Sequence, residues 1–446
     1  MNLVPNSCLK DSMLKEIGFN KIDDLFFDIP NQIKAKELNL PLGLSQQETE
    51  KKLREIAYKN QSVYDVLSFR GGGIKPHYIP AVVKSVISRA EFFTAYTPYQ
   101  SEASQGFLQA MFEYQSLIAE LTGMDVANAS LYDCATALGE AALISTRING
   151  RKKFLIPRNI SWEKKSVLKN YLKGPNIELI ETPFDIKTGK IDLDHLEKNV
   201  DENTSGVYIE NPNFFGIFED DVDKIQEIIK NKDALFIVGI DPISLGITKS
   251  PGEYGADIVI GEGRALGNFI DFGGSSLGIF ASKKEYVRQM PGRLIGLTKD
   301  KGGKRAFCMT LQTREQHIRR GKATSNICTN EGLCAIAAVS FLSVLGGDGF
   351  ENLSRINFEN GQILASKIKT VNGFKMMFDS IHFNEFVVKC DKDQTLVNQK
   401  LLKKGIQGGL AIDNWYEELS NCMLFGTTEL HCESDFDEIV SALKEV

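Results

Sequence analysis

The chain opens with a charged segment and continues into regularly alternating apolar and polar positions. Within the first 65 residues, the segment QQETEKKLREIAYKN repeats its apolar positions with a helical period. Residues 105–122 place five apolar side chains and Gln115 at helical spacing, which predicts a helix with one buried face. An alanine-rich helix is predicted at about 134–147. We therefore expect an N-terminal helical arm over 1–65, followed by a globular body.

Between residues 150 and 280, short apolar runs alternate with amphipathic segments. The runs cover 154–156, 178–180, 206–209, 235–240, 257–260 and 277–280. Continuous apolar strands separated by helices are typical of a mostly parallel sheet that is covered on both faces. Beyond residue 346 the pattern predicts a helix near 350–370, strands near 374–378, 384–389 and 422–426, and a closing helix. The sequence thus predicts a large α/β domain over 66–345 and a small C-terminal α+β domain over 346–446.

Composition narrows the classes of function. The 446 residues are 42% hydrophobic and 25% charged with a net charge of −6, so no attraction to nucleic acid is expected. No apolar run reaches the ~18 residues of a membrane-spanning helix, and no secretory signal is expected. Eight cysteines without a CxxC pair, together with five histidines, predict neither a metal site nor disulfides. These features favour a soluble protein in a reducing cytoplasm.

A large α/β domain followed by a small α+β domain resembles the layout of fold-type-I pyridoxal-phosphate enzymes. Asp241 follows the apolar run 235–240, at the strand end where α/β sheets bind their ligands. In such an enzyme this carboxylate would pair with the protonated pyridine nitrogen of the cofactor. The alternative is a strand-end Asp that caps the following turn.

The lysine that such an enzyme needs is missing from its expected place. A Schiff-base lysine would follow the next strand, but no lysine occurs between Lys249 and Lys283. Arg264 and Ala265 occupy that window. Arginine stays protonated and does not form a Schiff base in this way. The sequence therefore predicts that this chain holds no covalent cofactor and that Asp241 and Arg264 belong to a vestigial pocket.

A polar segment precedes the helix predicted at 105–122. Ser104 is a candidate cap for that helix, and Pro98 stiffens the preceding turn. The segment is either a capped loop or a loop that presents side chains to a ligand. In the second case the ligand-facing residues are Tyr96, Thr97, Tyr99, Gln100 and Glu102.

The strongest local concentration of basic residues lies between 311 and 328. An anion contact, a solvated basic loop and a salt-bridged interface all remain open, whereas nucleic acid is disfavoured because interleaved aromatic residues are missing. The candidate contact residues are Arg314, His317, Arg319, Lys322, Ser325 and Asn326. A separate glycine run, 71–73, lacks the GK[ST] of a phosphate-binding loop and is interpreted as a turn that needs positive φ.

Six segments together resemble the P-protein family of glycine decarboxylases, and within it the subunit 1, or alpha, branch. They are YTPYQSEASQG (96–106), LYDCATALGEAA (131–142), NPNFFG (211–216), GADIVIGEG (255–263), MPGRLIG (290–296) and QTREQHIRRGKATSNICT (312–329). The likeness extends over nearly the whole chain, from about residue 10 to 440. The sequence departs from the family pattern at 74–76, at Arg264-Ala265 and at Ser275-Ser276, which puts details of the vestigial pocket in doubt.

The resemblance implies an α2β2 glycine decarboxylase of the glycine cleavage system. In the family, subunit 2 (beta) carries the lysine-bound pyridoxal phosphate, glycine loses carbon dioxide, and the aminomethyl group passes to the lipoyl arm of H-protein. This chain would then be inactive alone and contribute no catalytic residue by itself. Its residues 96–102 would line a shared active-site mouth, and its 314–326 cluster would bind an anion or the other subunit. The alternatives are a non-catalytic scaffold or regulatory homologue, and a self-sufficient desulfurase-like or aminotransferase-like enzyme.

Overall fold

A computed structural model describes residues 6–35, 39–94 and 96–446, which divide into two units after Gln61. The first unit contains helices α1 (Lys10–Glu16) and α2 (Gln46–Ala57). Helix α2 begins with a capping box, because the Ser45 hydroxyl accepts the Glu48 N–H and the Glu48 carboxylate accepts the Ser45 N–H. The charged helix predicted in this region is therefore present. The domain bounds 1–65, 66–345 and 346–446 stay a prediction.

The second unit begins at Ser62 and contains the remaining helices and all the strands of the described residues. Its helices are α3 (Ala81–Ile87), α4 (Ala90–Phe93), α5 (Gln105–Thr122), α6 (Cys134–Asn149), α7 (Trp162–Lys173), α8 (Leu193–Asn199), α9 (Val222–Lys230), α10 (Gln316–Arg319), α11 (Gly332–Ile368), α12 (Gln394–Leu402) and α13 (Glu433–Lys444). Its strands are β1 (Leu67–Ser68), β2 (Val126–Ala127), β3 (Lys153–Pro157), β4 (Glu178–Thr182), β5 (Thr204–Glu210), β6 (Leu235–Ile240), β7 (Ile258–Glu262), β8 (Gly278–Ser282), β9 (Leu294–Lys299), β10 (Arg305–Thr310), β11 (Phe374–Met376), β12 (Glu385–Cys390), β13 (Ile406–Gln407), β14 (Leu410–Ala411) and β15 (Cys422–Gly426).

The main sheet has seven strands in the order β2-β8-β7-β6-β5-β3-β4. Strands β3 to β7 are mutually parallel, and β8 pairs antiparallel with both β7 and β2. Strands β5 and β6 are buried at every position, as expected for a sheet covered on both faces. The predicted α/β fold with a mostly parallel sheet is confirmed. All six apolar runs are strands, although periodicity alone did not reveal that the sixth runs antiparallel.

Helix α5 spans the residues that the sequence predicts, but its first turn differs. Its N-terminal residue Ser104 makes no side-chain capping bond, so the predicted cap is wrong. The Gln105 amide group instead donates to the Ser101 carbonyl and exchanges two bonds with the Phe307 backbone. Further along the same helix, Gln115 is buried because its amide group pairs with both the N–H and the carbonyl of Ile295.

Strands β9 and β10 form an antiparallel hairpin that the sequence did not predict. Gln105 and Gln115 of α5 both bond to this hairpin, so the polar Gln115 on an otherwise apolar helix face has a structural purpose. Residues 297–305 at the tip are mostly exposed. Half-exposed two-stranded ribbons carry little apolar periodicity, which explains why the pattern alone missed them.

Helix α11 is long and apolar enough to resemble a membrane-spanning segment by composition. It is a core helix instead, since residues such as Ala335, Ala338 and Phe341 are buried against the main sheet cluster. Gly346, at φ 61° and ψ −176°, interrupts its helical geometry. The sequence predicted only the second half, from about 350, because the GGDG run suggested a turn.

The carboxyl-terminal sheet is antiparallel, in the order β11-β12-β15-β14. Residues 67–77 precede α3 in the chain. Strand β1 pairs with β13 in a separate two-stranded sheet, and the next residues attach to β15, because the Gly71 N–H donates to the Leu424 carbonyl and the Gly426 N–H to the Phe69 carbonyl. A Cβ at Gly71 would lie 2.7 Å from the Leu424 side chain. Gly72 and Gly73 have positive φ, as predicted for this turn, and their N–H groups donate to the Glu385 carboxylate.

The NPNFFG segment joins the main sheet to the carboxyl-terminal sheet. Phe214 and Phe215 pack with Phe378 and Tyr416 in one aromatic cluster. Gly216, at φ +81°, lies so close to β12 that a Cβ there would be 1.9 Å from the Glu385 carbonyl oxygen. This segment therefore has a packing role.

Candidate functional site

Three neighbouring strands of the main sheet end in an acidic residue. Glu210 is the last residue of β5, Asp241 follows β6 directly, and Glu262 is the last residue of β7. Because these strands are parallel and adjacent, the three carboxylates lie along one edge of the sheet. The sequence singled out only Asp241, yet the other two occupy the same position relative to an apolar run, and that signal was available.

Asp241 caps the short 3₁₀ helix that follows it. Its Oδ1 accepts the Ile243 N–H at 3.0 Å, and the Ser244 hydroxyl donates to its carbonyl. The turn-capping alternative is therefore realised, and a partly exposed carboxylate remains at the sheet edge. A role toward a pyridine nitrogen stays a prediction.

Glu210 is paired with Lys164, an amine at the same edge of the sheet. The Lys164 Nζ lies 2.6 Å from the Glu210 carboxylate, which also accepts the Tyr208 hydroxyl at 2.7 Å. Burial alone would lower the pKa of Lys164, but the neighbouring Cys134 and Glu210 raise it above its ordinary value. The contact with Glu210 therefore favours the protonated form of the amine, and a protonated amine is not a nucleophile.

Glu262 reaches the N-terminus of helix α6. Its Oε2 accepts the Cys134 N–H at 3.3 Å, and its Oε1 accepts the N–H groups of Leu277 and Arg264 at 2.8 and 3.2 Å. Burial raises the pKa of Glu262, while Arg264 and the three N–H groups oppose this by favouring the charged form. A carboxylate thus lies where a helix N-terminus would otherwise attract an anion.

Arg264 turns away from the sheet edge toward the loop before β8. Its Nε donates to the Ser275 carbonyl, and its guanidinium donates to the Ser276 hydroxyl at 2.9 Å. The two departures from the family pattern, at 264–265 and at 275–276, therefore form one contact. The Arg264 side chain thereby stabilises the loop before β8.

Tyr99 brings together two of the polar segments that the sequence singled out. Its ring lies 6.2 Å from that of His317 in an edge-on arrangement, and the Arg293 guanidinium lies 5.9 Å from its centroid. Arg293 in turn donates to Thr329 and Asn330. The 96–102 and 312–330 segments consequently form one surface, and the buried Arg293, which the sequence did not suggest, connects them from beneath.

That surface has an exposed aromatic side. Tyr96 is 79% exposed and Tyr99 58% exposed, and Gln100 and Glu102 are also exposed. Thr97 is partly buried, and its carbonyl accepts the Tyr99 N–H. Exposed tyrosines beside polar groups are characteristic of contact surfaces.

Arg314 differs from the other basic residues because it is buried. Its guanidinium donates to the carbonyls of Met290, Gly292 and Leu311. These bonds hold the 311–314 turn against the MPGRLIG segment and leave the guanidinium poorly placed to bind an outside anion. His317, Arg319 and Lys322 are exposed, as is Asn326, so the anion-contact prediction now depends on them.

Ser325 lies in the same loop, above helix α6. Its hydroxyl accepts the Ile327 N–H at 3.0 Å. Below it, both carboxylate oxygens of Glu140 are buried without a hydrogen-bond partner among the described residues. Burial raises the pKa of Glu140 to about 7, with Ser325 and Arg147 opposing the rise.

The fold defines the class of protein. Glutamate decarboxylase from Lactobacillus brevis superimposes with a TM-score of 0.68 at 13% identity, covering 93% of this chain and 95% of that one. A sphingosine-1-phosphate lyase from Burkholderia pseudomallei gives a TM-score of 0.66 at 13% identity over 93% of each chain. The chain therefore has the fold of the type-I pyridoxal-phosphate enzymes.

Closer similarity identifies the family. A crystal structure of glycine decarboxylase (P-protein) of the glycine cleavage system, in inhibitor-bound form, matches with a TM-score of 0.92 and 39% identity over 100% of both chains. The glycine cleavage system P-protein family matches residues 2–443, and the chain belongs to that family.

Named relatives agree with the predicted branch. The probable glycine dehydrogenase (decarboxylating) subunit 1 of Thermococcus kodakarensis is 49% identical over 445 residues, covering 99% of this chain and 98% of that protein. The protein of the same name from Carboxydothermus hydrogenoformans is 46% identical over 432 residues, covering 97% and 96%. The predicted resemblance to this oxidoreductase subunit is confirmed.

Proposed function

We propose that this chain is the lysine-lacking subunit of a two-subunit glycine decarboxylase, and that a sister subunit supplies the lysine-bound pyridoxal phosphate. The observation that carries the proposal is the segment after β7, where Arg264 and Ala265 occupy the lysine window and no lysine occurs between Lys249 and Lys283. The name of the relatives, subunit 1, supports the existence of a second subunit.

The residues around the three strand ends do not fit a cofactor held by this chain. Lys164 is paired with Glu210, which favours its protonated form, and the Glu262 carboxylate takes a backbone N–H of the α6 N-terminus that a phosphate would need. These contacts also disfavour a self-sufficient desulfurase-like or aminotransferase-like enzyme. No chemical step is therefore assigned to this chain alone.

The contribution that we assign to this chain is a contact surface. Tyr96, Tyr99 and their polar neighbours would line the mouth of the active site shared with the sister subunit. His317, Arg319 and Lys322 would bind an anion or the other subunit from the adjoining loop. We further propose an α2β2 assembly in the cytoplasm that decarboxylates glycine and delivers the aminomethyl group to the lipoyl arm of H-protein.

The decisive experiment compares the chain purified alone with the chain co-expressed with its sister subunit. We expect glycine–bicarbonate exchange only from the pair, and borohydride reduction should attach pyridoxal phosphate to the sister chain alone. Exchange by this chain alone at the full rate, or a stoichiometric reduced adduct on one of its lysines, would contradict the proposal. If the source organism encoded no lysine-bearing sister subunit, the alternative of a non-catalytic scaffold would be favoured instead.

The shared mouth is tested in the reconstituted pair. Replacing both Tyr96 and Tyr99 by alanine should lower turnover by about tenfold or more, because misplaced substrate-positioning groups have costs of that order. Tyr58→Ala is the matched control and should leave turnover unchanged, because Tyr58 is a tyrosine directly after α2 that is 80% exposed. Unchanged turnover in the double variant would remove these tyrosines from the mouth.

A further inference from the structure

The N-terminus of helix α6 offers backbone donors for an anion at this sheet edge. Helix α6 is 16 residues long, and its first turn lies beside the ends of β7 and β8, since Leu131 bridges to Gly278 and Gly278 pairs with Glu262. Free N–H groups and the helix dipole attract negative charge at such a position. A phosphate bound at this edge would use the same donors.

Two carboxylates of the chain already use them. Asp133 caps the helix conventionally, because its Oδ1 accepts the Thr136 N–H at 2.7 Å. Glu262 approaches from β7 and accepts the Cys134 N–H, while its other oxygen is held by the N–H groups of Leu277 and Arg264. Three N–H groups thus converge on one carboxylate, as they would on a bound anion: those of Cys134 and Leu277 come from two other segments, and that of Arg264 from the short turn that Glu262 itself caps.

We propose that Glu262 is a built-in anion that substitutes for the cofactor phosphate and closes this chain's pocket to free pyridoxal phosphate. The proposal deepens the proposed function and rests on it, since the cofactor would then be left to the sister subunit. A second phosphate-sized anion at the α6 N-terminus would meet both a steric overlap and the charge of Glu262. In this proposal Glu262 adds to the missing lysine in leaving the cofactor to the sister subunit.

The test measures binding of inorganic phosphate and of pyridoxine 5′-phosphate, which has no aldehyde to react with surface lysines, by calorimetry on the full chain. Glu262→Ala frees the Cys134 N–H. Combining it with Asp133→Ser removes a second negative charge from the α6 N-terminus, while the serine keeps a neutral cap. Glu140→Gln is the matched control, because it removes one buried carboxylate from the same helix but away from its N-terminus.

We expect Glu262→Ala to bind both phosphates at least about tenfold more tightly than the unaltered chain, and the double variant more tightly still. Pyridoxine without its phosphate should gain nothing, and neither should the control. If Glu262→Ala does not fold, Glu262→Gln keeps the shape and should still gain about threefold or more, since only the charge is lost. No gain in a folded Glu262 variant, or an equal gain in Glu140→Gln, would overturn the inference.

The outcome is distinguishable from failure of the proposed function. Borohydride labelling of the unaltered chain tests whether one of its own lysines binds the cofactor, independently of Glu262. An unlabelled chain whose Glu262 variants bind no phosphate would refute this inference and leave the two-subunit proposal standing. A labelled chain would refute the two-subunit proposal itself.

Discussion

Glu429 carries a sharp prediction about stability. Its carboxylate lies in a buried network between residues 77–78 and the carboxyl-terminal sheet: Oε2 lies 2.9 Å from His77 Nδ1 and accepts from the Asn357 amide, and Oε1 accepts the Tyr78 N–H at 2.6 Å. Burial raises the pKa of Glu429, but the hydrogen bond and charge of His77 outweigh burial, and the pKa falls to about 2 from 4.5. The folded chain therefore strongly favours the charged form.

The magnitude follows from this difference. One pKa unit corresponds to about 1.4 kcal/mol, so Glu429 contributes about 3 kcal/mol to the free energy of unfolding at neutral pH. Because the pKa is lower in the folded state, the contribution is complete above the unfolded value of 4.5 and is lost as the pH falls toward about 2. Glu429→Gln should lower stability by about 3 kcal/mol at pH 7.5, since a buried partner is also left unpaired.

Urea unfolding followed by tryptophan fluorescence measures the effect. The chain has two tryptophans, Trp162 and Trp415, which stack with their ring centroids 3.4 Å apart and an interplanar angle of 3°. The fluorescence signal therefore reports one defined packing contact. Glu433→Gln is the control, because its side chain is 80% exposed and its pair with Lys367 should contribute less than about 1 kcal/mol. A Glu429→Gln variant as stable as the control at pH 7.5, or a deficit that does not shrink below about pH 4, would refute the reasoning.

Three further variants test the packing and burial described above. Gly216→Ala should cost about 3 kcal/mol or more through backbone overlap and strain, whereas Gly150→Ala, with φ +74° and open space around it, should cost about 1 kcal/mol; comparing their urea midpoints checks this. Gln115→Leu should cost about 2 kcal/mol and speed hydrogen exchange at the Ile295 amide, because both backbone groups of Ile295 lose their partner; unchanged exchange would contradict the contact. Burial raises the pKa of Glu140 to about 7 from 4.5, so the folded state binds more protons between these values and stability should fall by about 3 kcal/mol as the pH rises through them. Glu140→Gln should lack that slope, and parallel pH profiles for the two proteins would show the assignment to be mistaken.

Much of the fold was accessible from local pattern. Helix α5 matches its predicted bounds, and the six apolar runs are strands of the main sheet. Both results follow from side-chain periodicity, which depends on neighbours a few residues away. The β9–β10 hairpin escaped prediction because its exposed ribbon has little apolar periodicity. Its contacts with Gln105 and Gln115 join residues that are distant in the sequence.

The candidate site was only partly accessible. Asp241 was found because it follows a long apolar run, whereas Glu210 and Glu262 end their runs and were counted with the strands. Nothing in the sequence indicated that the Glu262 carboxylate meets the Cys134 N–H, since 128 residues separate them. The buried position of Arg314 was equally hidden, because two of its carbonyl partners, Met290 and Gly292, lie more than 20 residues away in the chain.

The sequence by itself determined most of the elements, the family and the absence of a lysine after β7, because periodicity, extended motifs and residue identity are all read along the chain. Tertiary structure alone decided which groups neutralise one another: Lys164 with Glu210, Glu262 with the α6 N-terminus, and Tyr99 with His317. Hydrogen bonds and ion pairs act over a few ångströms in space, and only the folded topology brings such distant residues within that range.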